Sequence, residues 1–425
     1  MFMCKRQPFH IVKRAACAIL AWVLLFLAAA GMRVAATNDT ALWSSSSPST
    51  SWTPCQSGEI CRPAGDNSLP AALTGVSARG AVLMEEESGD VVFGQNENAR
   101  LPMASTTKIM TALVALEQLS LDAPVTVTPA SVGVEGSSIY LVEGEILTVE
   151  QLLYALLLES ANDAAVALAI AAADSVEGFA VLMNEKVRAL GLKDTHFVNP
   201  HGLDHEEHYT SAKELALITR EALKNPVIRD ICATKRKTIP LHGDEGVRLL
   251  INHNKLLTSY EGCIGVKTGF TKKTGRCLVS AAERDGVTLI AVTLNAPDDW
   301  RDHTAMLDYG FGVYEAVTLC EPAFFSAPLW TVSGMQDYVM VENTDILSVT
   351  LRRNHGAIRC TVELPRFTFA PVIGGQAVGL LRFTETQPDG IAKDLGTVPL
   401  YAKYNVGLVT YTHGFWDWIR SLFGG

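Results

Sequence analysis

The sequence predicts an α/β fold: an antiparallel sheet with a cluster of helices, followed by a small all-β sandwich and a C-terminal amphipathic helix. Three observations support this prediction. Strand-like segments flank a group of strongly apolar helical segments between residues 69 and 320. After Cys320 the segments are short, regularly spaced and strand-like throughout. Near the end of the chain, apolar residues recur with helical spacing.

The composition is that of a folded, net acidic protein. Of 425 residues, 48% are hydrophobic and 19% are charged, which excludes wholesale disorder and provides for two or three domains. The formal net charge is −10, and the longest basic run is Lys235–Lys237. Because nucleic acid binding depends on basic side chains that neutralise phosphates, nucleic acid is not expected as a partner.

Residues 1–36 are predicted to be a signal peptide. A basic stretch from Lys5 to Arg14 precedes an apolar run from Ala15 to Ala30, and Val34–Ala36 provides small residues for cleavage. The apolar run has 16 residues, fewer than the about 20 that span a bilayer. An uncleaved N-terminal anchor is the alternative. Both interpretations place the rest of the chain outside the cytoplasm.

Residues 37–68 are rich in Ser, Thr and Pro and are predicted to form a flexible linker. Cys55 and Cys61 flank a short loop there and could pair in an oxidising compartment. The cysteines further along the chain are scattered without a Cys-x-x-Cys pair, which favours small buried side chains over a zinc site. They are Cys232, Cys263, Cys277, Cys320 and Cys360.

Residues 69–320 are predicted to form the α/β domain. Leu152–Leu158 and Ala164–Ala173 are apolar on all sides, so both are expected to be buried helices. The other predicted elements follow from apolar periodicity and from turn residues between them. They are the strands Ala81–Met84 and Val91–Phe93, the helices Thr106–Leu119 and Leu215–Leu223, and the strands Cys277–Ala282 and Thr288–Leu294.

Residues 321–410 are predicted to form the β-sandwich. Five strand-like runs follow one another with turn residues and no helical segment between them, which is typical of small sandwich domains. The runs are Tyr338–Val341, Leu347–Arg352, Ala357–Leu364, Ala377–Phe383 and Val398–Tyr404.

Residues 411–425 are predicted to form an amphipathic helix that anchors the protein to a membrane surface. At about 100° per residue, the apolar residues of Phe415–Phe423 lie on one arc of about 160°, opposite Asp417, Arg420 and Ser421. The segment is too short to span a bilayer, whereas its two Trp and two Phe suit the headgroup boundary. The alternative is a helix packed against the β-sandwich. An anchor would place the protein at the outer face of the cytoplasmic membrane.

Three short motifs occur in order, each on a different predicted element. Ser105-Thr106-Thr107-Lys108 lies at a helix start, Ser160-Ala161-Asn162 lies between two helices, and Lys267-Thr268-Gly269 lies on a strand. Taken alone, each has an ordinary structural explanation, namely a helix cap, a capping loop and an edge-strand lysine. A zinc site in the His201–His208 loop is not favoured, because neither His-Glu-x-x-His nor its reverse is present.

Ser105 and Lys108 have the residue types and spacing of a nucleophile and its base. A serine hydroxyl needs a base that takes its proton before it attacks a carbonyl carbon. Residues three apart on a helix share a face, with Cβ atoms about 5–6 Å apart. Burial and a second cation, which Lys267 would supply, both favour the neutral form of Lys108.

Together, Ser-x-x-Lys, Ser-x-Asn and Lys-Thr-Gly form the active-site set of penicillin-binding proteins and class A β-lactamases. The chain resembles the penicillin-recognising serine transferases, and most closely the low-molecular-weight penicillin-binding proteins that are D-alanyl-D-alanine carboxypeptidases. Leu101–Thr111, Phe197–Asp204 and Val266–Thr271 add to the resemblance. It spans residues 70–320, implies a β-lactamase/transpeptidase-like domain there, and continues through the β-domain and the tail.

The resemblance implies a role for each motif residue. Ser105 would attack the carbonyl between two D-alanines, with Lys108 as base and Ser160 in the proton network, and the N–H groups of Ser105 and Phe270 would form the oxyanion hole. The implied substrate-binding residues are Asn162, Lys267, Thr268, Gly269, Phe270 and Arg301. The implied partners are the D-Ala-D-Ala terminus of peptidoglycan stem peptides and β-lactam antibiotics. No metal or other cofactor is expected.

Two other functions are alternatives. A β-lactamase would share the motifs, but it would need a deacylating glutamate in a Glu-x-x-Leu-Asn segment, which the sequence lacks. A non-catalytic wall-binding protein is the second alternative, and it would have no need of intact Ser105, Lys108 and Lys267.

Overall fold

The computed structural model describes residues 53–54, 60–65, 69–243, 246–387 and 389–410. The predicted signal peptide, most of the predicted linker and the predicted C-terminal helix lie outside these residues. The chain divides into two compact units. The larger unit comprises Gly65–Val317 and Val349–His355, and the smaller unit comprises the described residues up to Ala64, Thr318–Ser348 and those from Gly356 onward.

Helices and strands are numbered in chain order. The helices are α1 (Lys108–Gln118), α2 (Val149–Leu158), α3 (Asn162–Ala173), α4 (Val176–Ala189), α5 (Ala212–Leu223), α6 (Pro226–Ala233), α7 (Leu256–Ser259) and α8 (Asp299–Val313), and short 3-10 turns lie at Ala104–Thr107 and Pro129–Ser131. The strands are β1 (Thr53–Pro54), β2 (Ile60–Arg62), β3 (Gly80–Glu85), β4 (Val91–Gln95), β5 (Pro124–Thr126), β6 (Ile146–Thr148), β7 (Arg236–Pro240), β8 (Val247–Ile251), β9 (Cys263–Thr271), β10 (Gly275–Arg284), β11 (Val287–Leu294), β12 (Tyr314–Cys320), β13 (Ser326–Val332), β14 (Tyr338–Glu342), β15 (Leu347–Arg352), β16 (Ile358–Glu363), β17 (Phe367–Phe369), β18 (Ala377–Thr386) and β19 (Ala392–Ala402).

A five-stranded antiparallel sheet lies at the centre of the larger unit, in the order β4-β3-β11-β10-β9. Alternate residues of a strand face opposite sides of a sheet. Val82 and Met84 of β3 therefore pack into the core built with α1 to α6, whereas Ala81 and Leu83 pack with residues of α8. Strands β3 and β11 are buried on both faces. Their sequences are therefore mostly apolar along the whole strand and do not alternate between apolar and polar residues.

The elements predicted for this unit are confirmed, with small shifts at their ends. The predicted helix Thr106–Leu119 begins as a 3-10 turn and continues as α1, and the predicted strand pairs are β3–β4 and β10–β11. The second pair turns at Asp285 and Gly286, which have φ angles of 48° and 80°. Helix α8 was not predicted, because two glycines interrupt its apolar pattern.

The two helices predicted to be buried are α2 and α3; the predicted segment of α2 is largely buried, whereas α3 is buried only over residues 162–169 and its last turn is partly exposed. Helix α2 begins with a capping box in which Thr148 and Gln151 satisfy each other's backbone N–H groups. Within the part of the chain that the structure describes, no single helix is long and apolar enough to cross a membrane. The pair α3 and α4, bent by 81°, meets that criterion jointly by length and composition alone.

Hydrogen bonds join eight described strands of the smaller unit in the order β1-β2-β16-β18-β19-β14-β13-β17, and this order does not confirm the predicted sandwich. Part of the predicted linker also belongs to this sheet, because β2 pairs with β16 and buries Ile60. Cys61 forms a disulfide, and Cys55 lies outside the described residues. Strand β15 pairs with β12, and its residues from Val349 onward belong to the larger unit.

Candidate active site

Ser105 lies in the 3-10 turn immediately before α1. Ala104, in the same turn, has a φ of 48°, a left-handed conformation that residues with a side chain adopt rarely. Gly202 packs directly against this backbone, and a Cβ at Gly202 would lie 2.0 Å from the Ala104 carbonyl oxygen. The shape of the Ser105 turn therefore depends on close packing that only glycine allows at residue 202.

A series of buried hydrogen bonds also holds the Ser105 turn. The Val198 N–H donates to His208 Nδ1 at 3.2 Å, so the proton of the neutral ring is on Nε2, which donates to Thr107 Oγ1 at 2.7 Å. The Thr107 hydroxyl donates in turn to the Ala104 carbonyl oxygen at 2.8 Å. Burial lowers the pKa of His208 to about 3, which keeps the ring neutral near pH 7. His208 thus positions the turn that carries Ser105.

Lys108 is the first residue of α1 and is fully buried. Its Nζ lies 3.1 Å from Ser105 Oγ, 2.6 Å from Asn162 Oδ1 and 2.6 Å from the His201 carbonyl oxygen. Burial and then the charge of Lys267 hold the pKa of Lys108 well below its usual 10.5. A neutral amine has two hydrogens and one lone pair. The two carbonyl-type oxygens take the hydrogens, which leaves the lone pair for the Ser105 hydroxyl.

Ser160 and Asn162 lie where α2 ends and α3 begins. Ser160 has a φ of 61°, and its side chain lines the same cleft as Ser105. The Asn162 side chain accepts from Lys108 through Oδ1 and donates through Nδ2 to the Glu135 carbonyl oxygen at 2.5 Å. Both ends of the Asn162 amide are therefore engaged, and in this arrangement Asn162 orients Lys108.

Strand β9 carries the Lys-Thr-Gly motif along the Ser105 turn. A Cβ at Gly269 would lie 3.1 Å from the backbone nitrogens of Ser105 and Thr106, so glycine keeps this side of the cleft open. Lys267 is 1% exposed, and its Nζ donates to the Thr268 carbonyl oxygen at 2.9 Å. Burial lowers the pKa of Lys267 to about 7. Below that pH its charge disfavours the protonated form of Lys108.

The three motifs meet in one cleft of about 280 Å³ in the larger unit. The cleft is lined by Ser105, Ser137, Ser160, His253, Thr268, Gly269, Phe270, Arg276, Cys277, Asp299 and Trp300. The hydroxyl-bearing residues Ser105, Ser160 and Thr268 thus face one space, although they come from a 3-10 turn, a helix–helix turn and an edge strand. This volume is near the lower end of the range for small-ligand sites, and it is large enough for the end of a short peptide.

Arg301, a predicted substrate-binding residue, does not line this cleft. Its side chain is 77% exposed and pairs with Asp298 at 3.4 Å. The arginine in the cleft is Arg276 on β10, which Asp299 holds by accepting from Nη2 at 2.8 Å and Nε at 3.0 Å. Sequence analysis missed Arg276 because only the register of β10 on β9, which sets Arg276 opposite Phe270, brings it to the motif.

Sequence analysis also missed Asp163 in the first turn of α3. The carboxylate is buried, and it accepts from Ser138 Oγ at 2.6 Å and from the Leu141 N–H at 3.0 Å. These bonds hold the segment that contributes Ser137 to the cleft, and the negative charge partly opposes the lowering of the Lys108 pKa. An acidic residue at the start of an otherwise apolar helix is the signal that could have found it.

The His201–His208 loop contributes a backbone oxygen to the surroundings of Lys108. The His201 carbonyl accepts from Lys108, and burial lowers the pKa of the His201 ring to about 4. Across the described residues, no group of three or more His, Cys, Asp and Glu side chains is arranged to hold a metal ion.

The amino-acid sequence of the chain is similar to those of known D-alanyl-D-alanine carboxypeptidases. DacF of Bacillus subtilis, a D-alanyl-D-alanine carboxypeptidase, is 32% identical over 355 residues, which cover 80% of this chain and 90% of that protein. DacC of Escherichia coli, also a D-alanyl-D-alanine carboxypeptidase, is 31% identical over 370 residues, covering 82% and 89%.

Solved structures show the same mixed α/β fold. Penicillin-binding protein 5 from Haemophilus influenzae matches with a TM-score of 0.58 and 27% identity, over 80% of this chain and 100% of that one. Residues 67–298 match the family described as D-alanyl-D-alanine carboxypeptidase. The chain therefore belongs to the peptidase S11 family of D-alanyl-D-alanine carboxypeptidases.

Proposed function

We propose that the chain removes the terminal D-alanine from peptidoglycan stem peptides through an acyl-enzyme on Ser105. The contact that carries this proposal is the one between Lys108 Nζ and Ser105 Oγ, at 3.1 Å in a fully buried site. Two carbonyl-type oxygens already occupy the amine hydrogens, so the lone pair is directed to the Ser105 hydroxyl. This arrangement supplies a nucleophile and a base without a metal.

In the acylation step, Ser105 Oγ bonds to the carbonyl carbon between the two D-alanines while Lys108 takes its proton. The C–N bond then breaks, and the proton passes to the leaving amine, with Ser160 as the relay that lines the cleft. In deacylation a water adds its oxygen to the acyl carbon, the ester bond between that carbon and Ser105 Oγ breaks, and a proton of the water passes to Ser105 Oγ. The products are free D-alanine and the shortened peptide.

Substrate recognition is assigned to the strand side of the cleft. Thr268 and the charge of Lys267 would meet the terminal carboxylate, with Arg276 as a further cation on the cleft wall. The N–H groups of Ser105 and Phe270 would stabilise the oxyanion, because Gly269 brings β9 against the Ser105 turn. Asn162 would serve by holding Lys108 and, once substrate displaces a contact, by binding the substrate amide.

We expect the protein to release D-alanine from a soluble peptide that ends in D-Ala-D-Ala. The matched control is the same peptide with a C-terminal amide, which should react about tenfold or more slowly because it lacks the charge that these cations recognise. Released D-alanine is measured enzymatically. Turnover of β-lactams without D-alanine release would contradict the proposal and favour a β-lactamase.

The membrane proposal concerns segments outside the described residues. We infer that residues 1–36 direct secretion and that residues 411–425 hold the enzyme at the outer face of the cytoplasmic membrane. Six apolar residues between Phe415 and Phe423 share one face of a helix, and Asp417 and Arg420 cancel in charge. Attachment would therefore be hydrophobic, with little contribution from anionic lipids.

Deletion of Gly414–Gly425 should release signal-processed protein from membranes, because it removes this apolar face. The intact protein should sediment with membranes, resist extraction by high salt and dissolve in detergent. D-alanine release from the soluble peptide is the control and should not change. Truncated protein that still sediments with membranes would show that the tail is not the anchor.

A further inference from the structure

The smaller unit exposes a cluster of large apolar side chains on one face of its sheet. The cluster, called the aromatic patch below, consists of Trp330 (58% exposed), Val332 (39%), Tyr338 (43%), Phe367 (45%) and Phe369 (63%). The neighbouring residues of β13, Ala327 and Leu329, point to the other face and are buried. The alternation shows that the patch is the solvent face of a well-packed sheet.

Strand register makes the patch continuous. Trp330 stands opposite Tyr338 on β14 and opposite Phe367 on β17, and Val332 stands opposite Phe369. The rings of Trp330 and Tyr338 meet edge to face at 6.0 Å, and those of Phe367 and Phe369 do so at 5.6 Å. Contiguous exposed apolar surface of this kind marks a contact site, unlike single exposed residues.

The chain runs toward its C-terminal tail beside the same patch. Val409 N–H donates to the Ser333 carbonyl oxygen at 2.9 Å, and Leu408 pairs with Gly334. Ser333 directly follows Val332 of the patch. From Thr410 to Phe415, the first apolar residue of the tail, five residues span at most about 18 Å. The tail's first apolar residue therefore lies at most about 18 Å from Thr410, and Thr410 directly follows the segment paired beside Val332 of the patch.

We propose that the aromatic patch contacts the lipid headgroup layer of the membrane to which the tail attaches. This inference rests on the proposed membrane attachment of residues 411–425. Trp, Tyr and Phe are the side chains that suit the boundary between headgroups and hydrocarbon. Once the tail is inserted, the short segment between Thr410 and the tail holds the patch close to the lipid. Because the local concentration of lipid at the patch is then high, even a weak interaction of the patch with lipid strengthens membrane binding. The apolar face of the tail is then occupied by lipid and leaves the patch free.

The test compares vesicle binding by the signal-processed chain and by variants of it. Vesicles of phosphatidylethanolamine and phosphatidylglycerol are titrated, and bound protein is measured by sedimentation. The combined substitution Trp330→Ser, Phe367→Ser and Phe369→Ser should weaken binding by about tenfold, which corresponds to about 60 Å² less buried apolar surface. The matched control combines Ile346→Ser and Ile391→Ser, which remove comparably exposed residues outside β13, β14 and β17. It should bind like the unchanged chain.

D-alanine release from the soluble peptide checks that the larger unit of each variant is folded, and thermal unfolding followed by circular dichroism checks the smaller unit. Equal vesicle affinity of the patch variant and the unchanged chain would overturn the inference. Amide hydrogen exchange of Phe367–Phe369 tests the other occupant, the tail itself. Protection there without vesicles, lost on deletion of Gly414–Gly425, would show that the tail covers the patch and would also overturn it. If the deletion instead leaves vesicle binding intact, the tail proposal fails, while the effect of the patch variant is still measured.

Discussion

Ser105→Ala should abolish covalent labelling of the protein by a fluorescent penicillin. A β-lactam presents its ring amide where the D-Ala-D-Ala amide would lie, and Ser105 Oγ opens the ring as it forms the ester. The expelled nitrogen stays attached to the acyl group and cannot diffuse away, so the unchanged enzyme should accumulate a stable adduct. Gel fluorescence quantifies the adduct, and peptide mass spectrometry locates it on Ser105.

Ser137→Ala is the matched control for this experiment. Ser137 lines the same cleft, and its backbone carbonyl accepts from the Asn162 N–H at 2.7 Å, a bond that the substitution retains. Its hydroxyl has no part in the proposed mechanism, so labelling should persist. A labelled Ser105→Ala variant would disprove the nucleophile assignment, and rapid drug turnover without an adduct would favour the β-lactamase alternative.

Lys108→Ala should reduce the rate of acylation by about 10²–10⁴-fold, the range for loss of a general base. The loss can exceed this range, because a nucleophile and its base act as a unit. Lys108→Arg is the matched variant, since it keeps a cation but cannot give up its proton near neutral pH. It should acylate as poorly as Lys108→Ala. Stopped-flow acylation by penicillin measures the rates, and near-normal rates in both variants would exclude Lys108 as the base.

The pH dependence gives the base hypothesis a second readout. The reactive form of Lys108 is neutral, so acylation should be fast above the pKa of Lys108 and decline as the pH falls through it. The charge of Lys267 is one of the two causes that lower this pKa, after burial. Lys267→Gln removes that charge, which should raise the pKa of Lys108 and move the acid limb of the rate profile to higher pH. An unmoved acid limb would show that the two amines are not coupled.

Much of the larger unit was predictable because its signals are local. Leu152–Leu158 of α2 and Ala164–Ala173 of α3 are apolar on every side, which predicts buried helices without knowledge of their neighbours. The Ser105–Lys108 pair follows from helical spacing, and the structure places Nζ 3.1 Å from Oγ. Strand β2, in the predicted linker, could not be predicted from local signals. Its three residues form a strand because β16 offers a pairing partner and Ile60 becomes buried.

The sequence by itself identified the candidate nucleophile, its candidate base and the Lys-Thr-Gly motif, since residue types and their spacing can be read without tertiary structure. Tertiary structure alone decided which other groups surround them. The His201 carbonyl and Asn162 reach Lys108 from segments far along the chain, and they direct its lone pair to Ser105. The position of Arg276 in the cleft likewise depends on strand register and on the Asp299 contact. Contacts between distant segments arise from packing and from the pairing of buried polar groups. Such contacts produce no periodic pattern in the sequence, so they cannot be predicted from it.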